Sequence, residues 1–438
     1  MFRSSVTKYP LSFLLFLILE LSAVYGLQLD TLGRVLRQHW QFADLSTLAA
    51  EPFTSWMYIH SQPPLLNIIV AAIISKSGDA YSGFILLNCL GAAITSVVIL
   101  YILNQGITRY RWLSYCFALA YLLAPSTLLY SAYPFYPTLT STGYAILALA
   151  LFIAKSHKRL SLLLLCASLV YLTLLRSSFP PVIALLILII YFALIFDKAG
   201  RLKNACLVAL CSLIPITAIY TKNFVMYDFW GSTSFAPINT AKGFGVPIEL
   251  NYFPSPEELM RTRPDLPCKH SYRSIDQAPA KQDGNPNYNS CYFLAFAQSQ
   301  QGIAWKDYVF ERHLRRIVSH VARYLSLPDR YQYLTNRSSL EAYADVFNTA
   351  FLPLSLREGY TIRVGVVLLM LAMLWSLYRT RDKRMIALYA ICVVHMLSHV
   401  LTDGDESDRF IFDIEFCFYI FAGYACAMCM STRLIRGH

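Results

Sequence analysis

Acidic residues beside apolar segments are the first candidates for chemistry in this sequence. Asp30 directly follows an apolar segment, and Asp44 and Glu51 come shortly after it. A carboxylate at such a position can act as a general base when burial and neighbouring groups tune its pKa. The sequence equally allows Asp30 to be a solvated residue that caps a short helix. We take Asp30 as the first candidate for a catalytic base and Asp44 as the second, with Glu51 competing for the role.

A polar cluster surrounds two consecutive prolines between residues 58 and 67. Pro63 and Pro64 lack amide donors and favour an extended chain before the apolar run that follows. Proline in the first turn of a helix is structurally ordinary, but it does not account for the many polar side chains nearby. Such groups can bind a phosphate or sugar hydroxyls. The predicted substrate-binding residues here are Tyr58, His60, Gln62 and Asn67.

Basic side chains form a third set of candidates. Arg409 ends the acidic stretch 403–408, which is either a solvated helix cap or an acidic setting that holds the arginine in place. A guanidinium fork suits phosphate well. Arg176 and the pair Lys222–Asn223 follow apolar segments at the same side of the predicted membrane. We therefore add Arg176, Lys222, Asn223 and Arg409 to the predicted substrate-binding residues.

Other polar residues in apolar segments give weaker signals. Glu20 lies within a span, where an ionisable group is costly and is usually functional or paired, although a neutral hydrogen-bonded carboxyl is an alternative. His395 and His399 have a spacing that can bind a metal, but no acidic ligand is beside them, so helix packing is favoured. The sequence lacks a P-loop, G-x-G-x-x-G, H-E-x-x-H and G-x-S-x-G. No metal site is predicted.

The composition identifies the elements that must position these residues. Of 438 residues, 56% are hydrophobic and only 14% are charged. An average soluble domain has about 25% charged residues, so we predict an all-α polytopic membrane protein. About 20 apolar residues are needed to span a bilayer. Ten segments qualify or nearly do so: 9–28, 81–103, 112–130, 137–154, 160–176, 180–196, 204–222, 361–378, 385–402 and 410–430.

The distribution of the net charge of +11 along the sequence indicates the orientation of the chain in the membrane. With the N-terminus inside, the six inside segments hold sixteen Lys and Arg residues against two acids, Asp197 and Asp382. This bias is typical of cytoplasmic loops, so both termini are predicted to be cytoplasmic. The charge therefore gives no indication of a nucleic-acid partner.

Two long outside loops complete the layout. The first, 29–80, contains an apolar run, Leu65–Lys76, that is too short to span and predicts an interfacial or re-entrant helix. The second, 223–360, contains an irregular stretch, 251–290, and an amphipathic pattern over 303–325. It also contains Cys268 and Cys291, which could form a disulfide in an oxidising compartment. The predicted regions are 1–222, 223–360 and 361–438.

This arrangement resembles the GT-C membrane glycosyltransferases, in particular the protein O-mannosyltransferase and aminoarabinose transferase group. The features that carry the resemblance are Asp30, the sequence HSQPPLLN at 60–67, Lys222–Asn223 with the following FWGSTS, and Asp408–Arg409. The resemblance implies a polyprenyl-phosphate sugar donor and an inverting transfer at the extracytoplasmic surface. It also implies that Asp30 is the base and that basic residues bind the donor phosphate.

The chain departs from the family pattern in the segment 130–138, YSAYPFYPT, which has no acid. A divalent metal is therefore possible by resemblance but unsupported here, and aromatic stacking on a sugar is an alternative. The expected partners are the donor, a glycan, lipid or protein acceptor, and membrane lipids. The expected location is a bacterial inner membrane or the eukaryotic endoplasmic reticulum membrane.

Two other functions stay open from the sequence. A transporter or flippase of lipid-linked glycans would be expected to have internal repeats and broken helices near the bilayer midplane, and the sequence has no repeat. A scaffold or receptor would use the loop 223–360 to bind a partner. The sugar and the acceptor are not indicated by any motif.

Overall fold

The computed structural model describes residues 8–29, 36, 42–52, 54–107, 110–177, 179–196, 201–235, 238, 261, 278, 280–281, 287–306, 336–351, 374–375, 381–402 and 407–436. These residues form fourteen α-helices, and a 3₁₀ turn spans Ser55–Tyr58. The helices are α1 Lys8–Gly26, α2 Leu45–Ala50, α3 Leu65–Ser77, α4 Ala80–Gly106, α5 Arg111–Leu122, α6 Pro125–Ala132, α7 Pro137–Ile153, α8 Lys158–Leu175, α9 Pro181–Leu194, α10 Arg201–Tyr227, α11 Cys291–Lys306, α12 Arg337–Phe351, α13 Lys383–Thr402 and α14 Ser407–Arg436.

The predicted fold class is confirmed at the level of an all-α, multi-pass membrane protein. Five described helices are long and apolar enough to span a membrane, namely α1, α4, α8, α10 and most of α14. The bent pair α5 and α6 would be a sixth span, and α3, α7 and α9 are shorter apolar helices. The count of ten spans stays a prediction, because most of 361–378 lies outside the described residues. The orientation and the region boundaries also stay predictions.

The structure divides the predicted span 112–130 into two helices. Helices α5 and α6 meet at an angle of 48°. Pro125 has no amide donor and disfavours a helical conformation of the residue before it, and Ala124 is extended at φ −63° and ψ 140°. The hydroxyl of Tyr343 on α12 donates to the carbonyl of Leu123 at 2.7 Å. The break thus creates a polar position inside a span.

Helix α7 is the centre of the bundle. It packs against α4, α8 and α14, and all of its residues except Ile146 and Leu149 are buried. A Cβ atom on Gly143 would lie 2.7 Å from Leu172 Cδ2, so the glycine permits the close approach of α7 and α8. By contrast, α1, α9 and α10 expose large apolar side chains. Exposed apolar surface of this kind fits contact with lipid.

Several predicted elements are only partly described. Helix α3 covers the run at Leu65–Lys76, as expected, while its position relative to a membrane stays a prediction. Most of the stretch 251–290, and residues 307–325 of the predicted amphipathic helix, lie outside the described residues. Cys291 is disulfide-bonded, consistent with the predicted bridge, and its predicted partner Cys268 also lies outside the described residues. The nine other described cysteines, including Cys426 and Cys429, are free thiols.

Candidate functional site

The proline-containing segment before α3 meets three other parts of the chain. Four segments, 57–62, 222–227, 231–235 and 287–291, pack together, and we call this assembly the loop junction. The prolines lead the chain from the extended residue Ile59 into α3, with Pro64 at the helix N-cap. Asn67, in the first turn of α3, accepts a hydrogen bond from the Ala43 amide at 2.8 Å. The start of α3 is thereby bound to the residues just before α2.

His60 is at the centre of the loop junction and is fully buried. Its Nε2 lies 2.8 Å from the Asn289 carbonyl oxygen, and its Nδ1 lies 2.9 Å from Ser234 Oγ. A carbonyl oxygen can only accept, so Nε2 carries the hydrogen and Nδ1 accepts from the serine hydroxyl. Burial, together with the positive charge of Lys222, lowers the pKa of His60 to about 3. The ring is therefore neutral near pH 7.

Asn289 connects the loop after α10 to this histidine. Its Oδ1 accepts from the His60 amide at 3.1 Å, the Ser61 amide at 3.1 Å and Ser61 Oγ at 2.9 Å. In the other direction, the Ser234 amide donates to the His60 carbonyl at 2.8 Å, and Thr233 Oγ1 donates to the Ser61 carbonyl. The backbone polar groups of residues 60 and 61 are thus satisfied by residues far away in the sequence.

The end of α10 contributes its own polar side chains to the loop junction. Lys222 donates through Nζ to the Ile59 carbonyl, and Asn223 donates through Nδ2 to the Gly231 carbonyl at 2.7 Å. The Tyr227 hydroxyl donates to the Met57 carbonyl at 3.3 Å, and its ring lies 4.8 Å from that of His60. Five predicted site residues therefore lie in the loop junction, namely Tyr58, His60, Gln62, Lys222 and Asn223, and three of them, His60, Lys222 and Asn223, each bind another part of the chain.

Unsatisfied amide groups give the loop junction a capacity to bind something else. Gln62 Nε2, Asn223 Oδ1 and Asn289 Nδ2 are buried and have no hydrogen-bond partner within the part of the chain that the structure describes. Burying such an atom without a partner costs about 1–3 kcal/mol. Two donors and one acceptor in one assembly suit a ligand that carries hydroxyl groups.

Arg176 belongs to a different set of contacts. Its guanidinium pairs with Asp413 on α14 and lies 4.8 Å from the Tyr136 ring centre. His395 Nε2 is 3.6 Å from Asp413 Oδ2, and His395 Nδ1 is 2.7 Å from the Tyr144 hydroxyl. Both members of the ion pair are almost completely buried. This network joins α7, α8, α13 and α14.

The other predicted site residues are either bound to nearby residues or lie outside the described part of the chain. Asp44 caps α2, with Oδ1 accepting from the Ser46 amide at 3.0 Å and from Ser46 Oγ at 2.8 Å. Tyr58 is half-buried beside the proline segment. Asp30 and residues 403–406 lie outside the described part of the chain, as does the side chain of Arg409. The catalytic roles of Asp30 and Asp44 stay predictions.

The aromatic residues of 130–138 form a core. Tyr130, Tyr133 and Phe135 are fully buried, and Phe135 packs edge-on against Phe42 with ring centres 6.0 Å apart. The described aromatic rings here therefore stabilise the bundle, and they offer no exposed face for a sugar. Among the described residues, no three His, Cys, Asp or Glu side chains cluster as a metal site.

Asn289 and Asp413 were not predicted from the sequence. Asp413 had a visible signal, since a carboxylate inside an apolar segment needs a partner. Asn289 had none, because asparagines in a Pro- and Asn-rich stretch read as ordinary loop residues. No family model, curated protein or solved structure matches this chain.

Proposed function

We propose that this protein is an integral membrane glycosyltransferase that uses a polyprenyl-phosphate-linked sugar donor. The observation that carries the proposal is the loop junction. It gathers the segment with the two prolines, Lys222–Asn223 and the Ser/Thr-rich turn 231–235, which are the regions that carry the resemblance to GT-C enzymes. Its buried amide atoms on Gln62, Asn223 and Asn289 lack partners among the described residues and match the donors and acceptors of sugar hydroxyls.

A lipid-linked donor fits the surface beside the loop junction. Phe224 and Val225 are exposed on α10, next to the buried Lys222, and Trp230 is exposed just beyond it. This apolar surface can accommodate a polyprenyl chain, while Lys222 can approach the phosphate that joins the chain to the sugar. A positive charge there stabilises the negative charge that develops on the leaving phosphate. Arg409 and Arg176 are further candidates for the same task.

The proposed reaction needs a base for the acceptor. The acceptor hydroxyl oxygen forms a bond to the anomeric carbon, the bond from that carbon to the phosphate oxygen breaks, and the configuration inverts. The hydroxyl proton passes to the carboxylate of Asp30, and the electron pair of the broken bond remains on the polyprenyl phosphate. Asp44 is the second candidate for this proton transfer, although it also caps α2.

The test uses the purified full chain in liposomes with a panel of radiolabelled polyprenyl-phosphate sugars. Release of polyprenyl phosphate together with label transfer would support the proposal. Asp30→Asn is expected to abolish transfer while expression is unchanged, because the amide cannot accept the proton. Asp44→Asn is the matched variant, since asparagine keeps the N-cap but loses the charge. Full activity of Asp30→Asn would contradict the proposed mechanism.

The structure also gives one reason to keep a transporter or flippase of lipid-linked glycans as the second candidate. Transporters often use discontinuous helices at their substrate sites, and the span formed by α5 and α6 is bent by 48°. Movement of a fluorescent lipid-linked glycan across liposomes without any covalent product would favour this function. Label transfer without such movement would favour the glycosyltransferase.

A further inference from the structure

Two carboxyl groups flank helix α6, directly after the break in the bent span. Ser126, at the start of α6, donates through Oγ to Glu415 Oε1 on α14 at 2.8 Å. Ser131, at the end of α6, donates through Oγ to Glu20 Oε1 on α1 at 2.6 Å. Glu20 is fully buried, and Ser131 is too. One short helix thus holds two acids that come from opposite ends of the sequence.

The groups that face these acids are neutral hydroxyls and thiols. Tyr121 on α5 interacts with both Glu20 and Glu415, and its own hydroxyl lies 3.3 Å from Ser141 Oγ. Cys89 on α4 and Tyr343 on α12 also interact with Glu20. Tyr419 on α14 is hydrogen-bonded to Glu415. Among the described residues, no Lys, Arg or His pairs with either acid.

The Glu20 carboxyl group and helix α6 each have a buried oxygen atom without a partner. Among the residues that the structure describes, Glu20 Oε2 has no hydrogen-bond partner, and neither has Thr127 Oγ1 on α6. Both residues are fully buried. Thr127 and Ser131 are four residues apart and therefore share one face of α6. A hydroxyl with free hydrogen-bonding capacity thus lies on the same helical face that binds Glu20.

A carboxyl group offers one property here that an amide would not. Glutamine could accept the Ser131 hydrogen bond equally well, without the cost of burying an ionisable group in a span. A carboxylate without a cation partner is strongly disfavoured in such a place, and binding a proton neutralises it. The incoming proton can bind Oε2 of Glu20, while the Ser131 hydroxyl continues to donate to Oε1.

We propose that Glu20 and Glu415 form a proton-binding site beside the break between α5 and α6. At this site the two carboxyl groups take up and release protons. The proposal goes beyond the proposed function and does not depend on it, because it concerns protons and not the sugar donor. The site serves a membrane enzyme or a transporter equally.

Infrared difference spectroscopy of the full chain in liposomes tests this proposal. A stretching band of protonated carboxylic acids is expected to appear as the pH is lowered toward about 6, still above the value of about 4.3 at which exposed glutamates bind protons, and to disappear reversibly as the pH is raised. Glu20→Gln and Glu415→Gln should each remove one component of that band. Glu341→Gln is the matched control, because Glu341 is exposed on α12, and it should leave the band unchanged.

The serine variants provide a check that does not remove either acid. Ser131→Ala should shift the Glu20 component to higher frequency without abolishing it, because the hydrogen bond to Oε1 is lost. Ser126→Ala should do the same for Glu415. The proposal is overturned if no pH-dependent component is lost in Glu20→Gln or in Glu415→Gln. It is also overturned if sodium at constant pH abolishes the band, since the site would then bind a metal cation.

Discussion

Acidification is expected to loosen the loop junction through His60. We call the observed arrangement the closed state of the loop junction, and an arrangement in which water reaches the His60 ring the open state. The pKa of His60 is about 3 in the closed state, whereas its ordinary value of 6.5 applies in the open state. Between these two pH values, His60 is therefore neutral in the closed state and protonated in the open state. Stability of the closed state is retained above about pH 6.5 and is lost progressively as the pH falls toward about 3.

The size of the effect follows from the two pKa values. Lowering the pH from about 7 to about 5 costs about 2 kcal/mol, which is about a 30-fold increase in the opening equilibrium. The repulsion between Lys222 and a protonated imidazole is one of the causes of the low pKa of His60 and is therefore included in this cost. The rings of Tyr227 and Phe229 also face His60 but carry no charge that would offset this cost.

Hydrogen–deuterium exchange of the full chain in detergent can measure the opening. The amides of Ser61 and Ser234 are suitable reporters, since both are hydrogen-bonded within the loop junction. After correction for the intrinsic pH dependence of exchange, their protection should fall by about 30-fold between about pH 7 and about pH 5. The His60→Gln variant should lose this dependence. If the protection of these two amides in the wild-type chain did not change between about pH 7 and about pH 5, the predicted opening would be refuted, whatever the variant shows.

Three further predictions concern packing and buried polar groups. Asn289→Ala removes an acceptor for three buried donors at a cost of about 1–3 kcal/mol each, and thermal unfolding should show a larger loss than in Asn289→Asp, which keeps the oxygen. Arg176→Met should cost about 3–5 kcal/mol by leaving Asp413 without its cation. The double variant Arg176→Met/Asp413→Leu should recover most of this loss, and a transferase activity that stays absent in it would indicate a direct role for the guanidinium. Gly143→Ala should cost about 1–3 kcal/mol by crowding Leu172, and adding Leu172→Ala should restore part of the melting temperature.

The sequence predicted which residues gather at the loop junction better than it predicted their contacts. Polar residues clustered beside Pro63–Pro64, and Lys222–Asn223 at the end of a span, were visible as candidates. Their contacts depend on Asn289, which is 229 residues away from His60. Arg176 was predicted to bind a substrate phosphate, but its pairing with Asp413, which is 237 residues away, could be found only in the tertiary structure. Pro125 is a local signal for the break between α5 and α6, but it lies within a long apolar segment that was predicted as one span.

The sequence by itself determined the class of this protein. Insertion of a helix into a bilayer depends on the hydrophobicity and charge of a contiguous segment of the chain. Apolar helices could therefore be predicted without knowledge of their tertiary contacts. Only the tertiary structure decided which polar groups are paired. The partners of His60, Arg176 and Glu20 come from segments far away in the sequence. A single sequence does not show which distant segments meet in the folded chain. The same burial that makes these pairs stable also makes their unpartnered atoms costly, which is why those atoms mark the places where a ligand or a proton is expected.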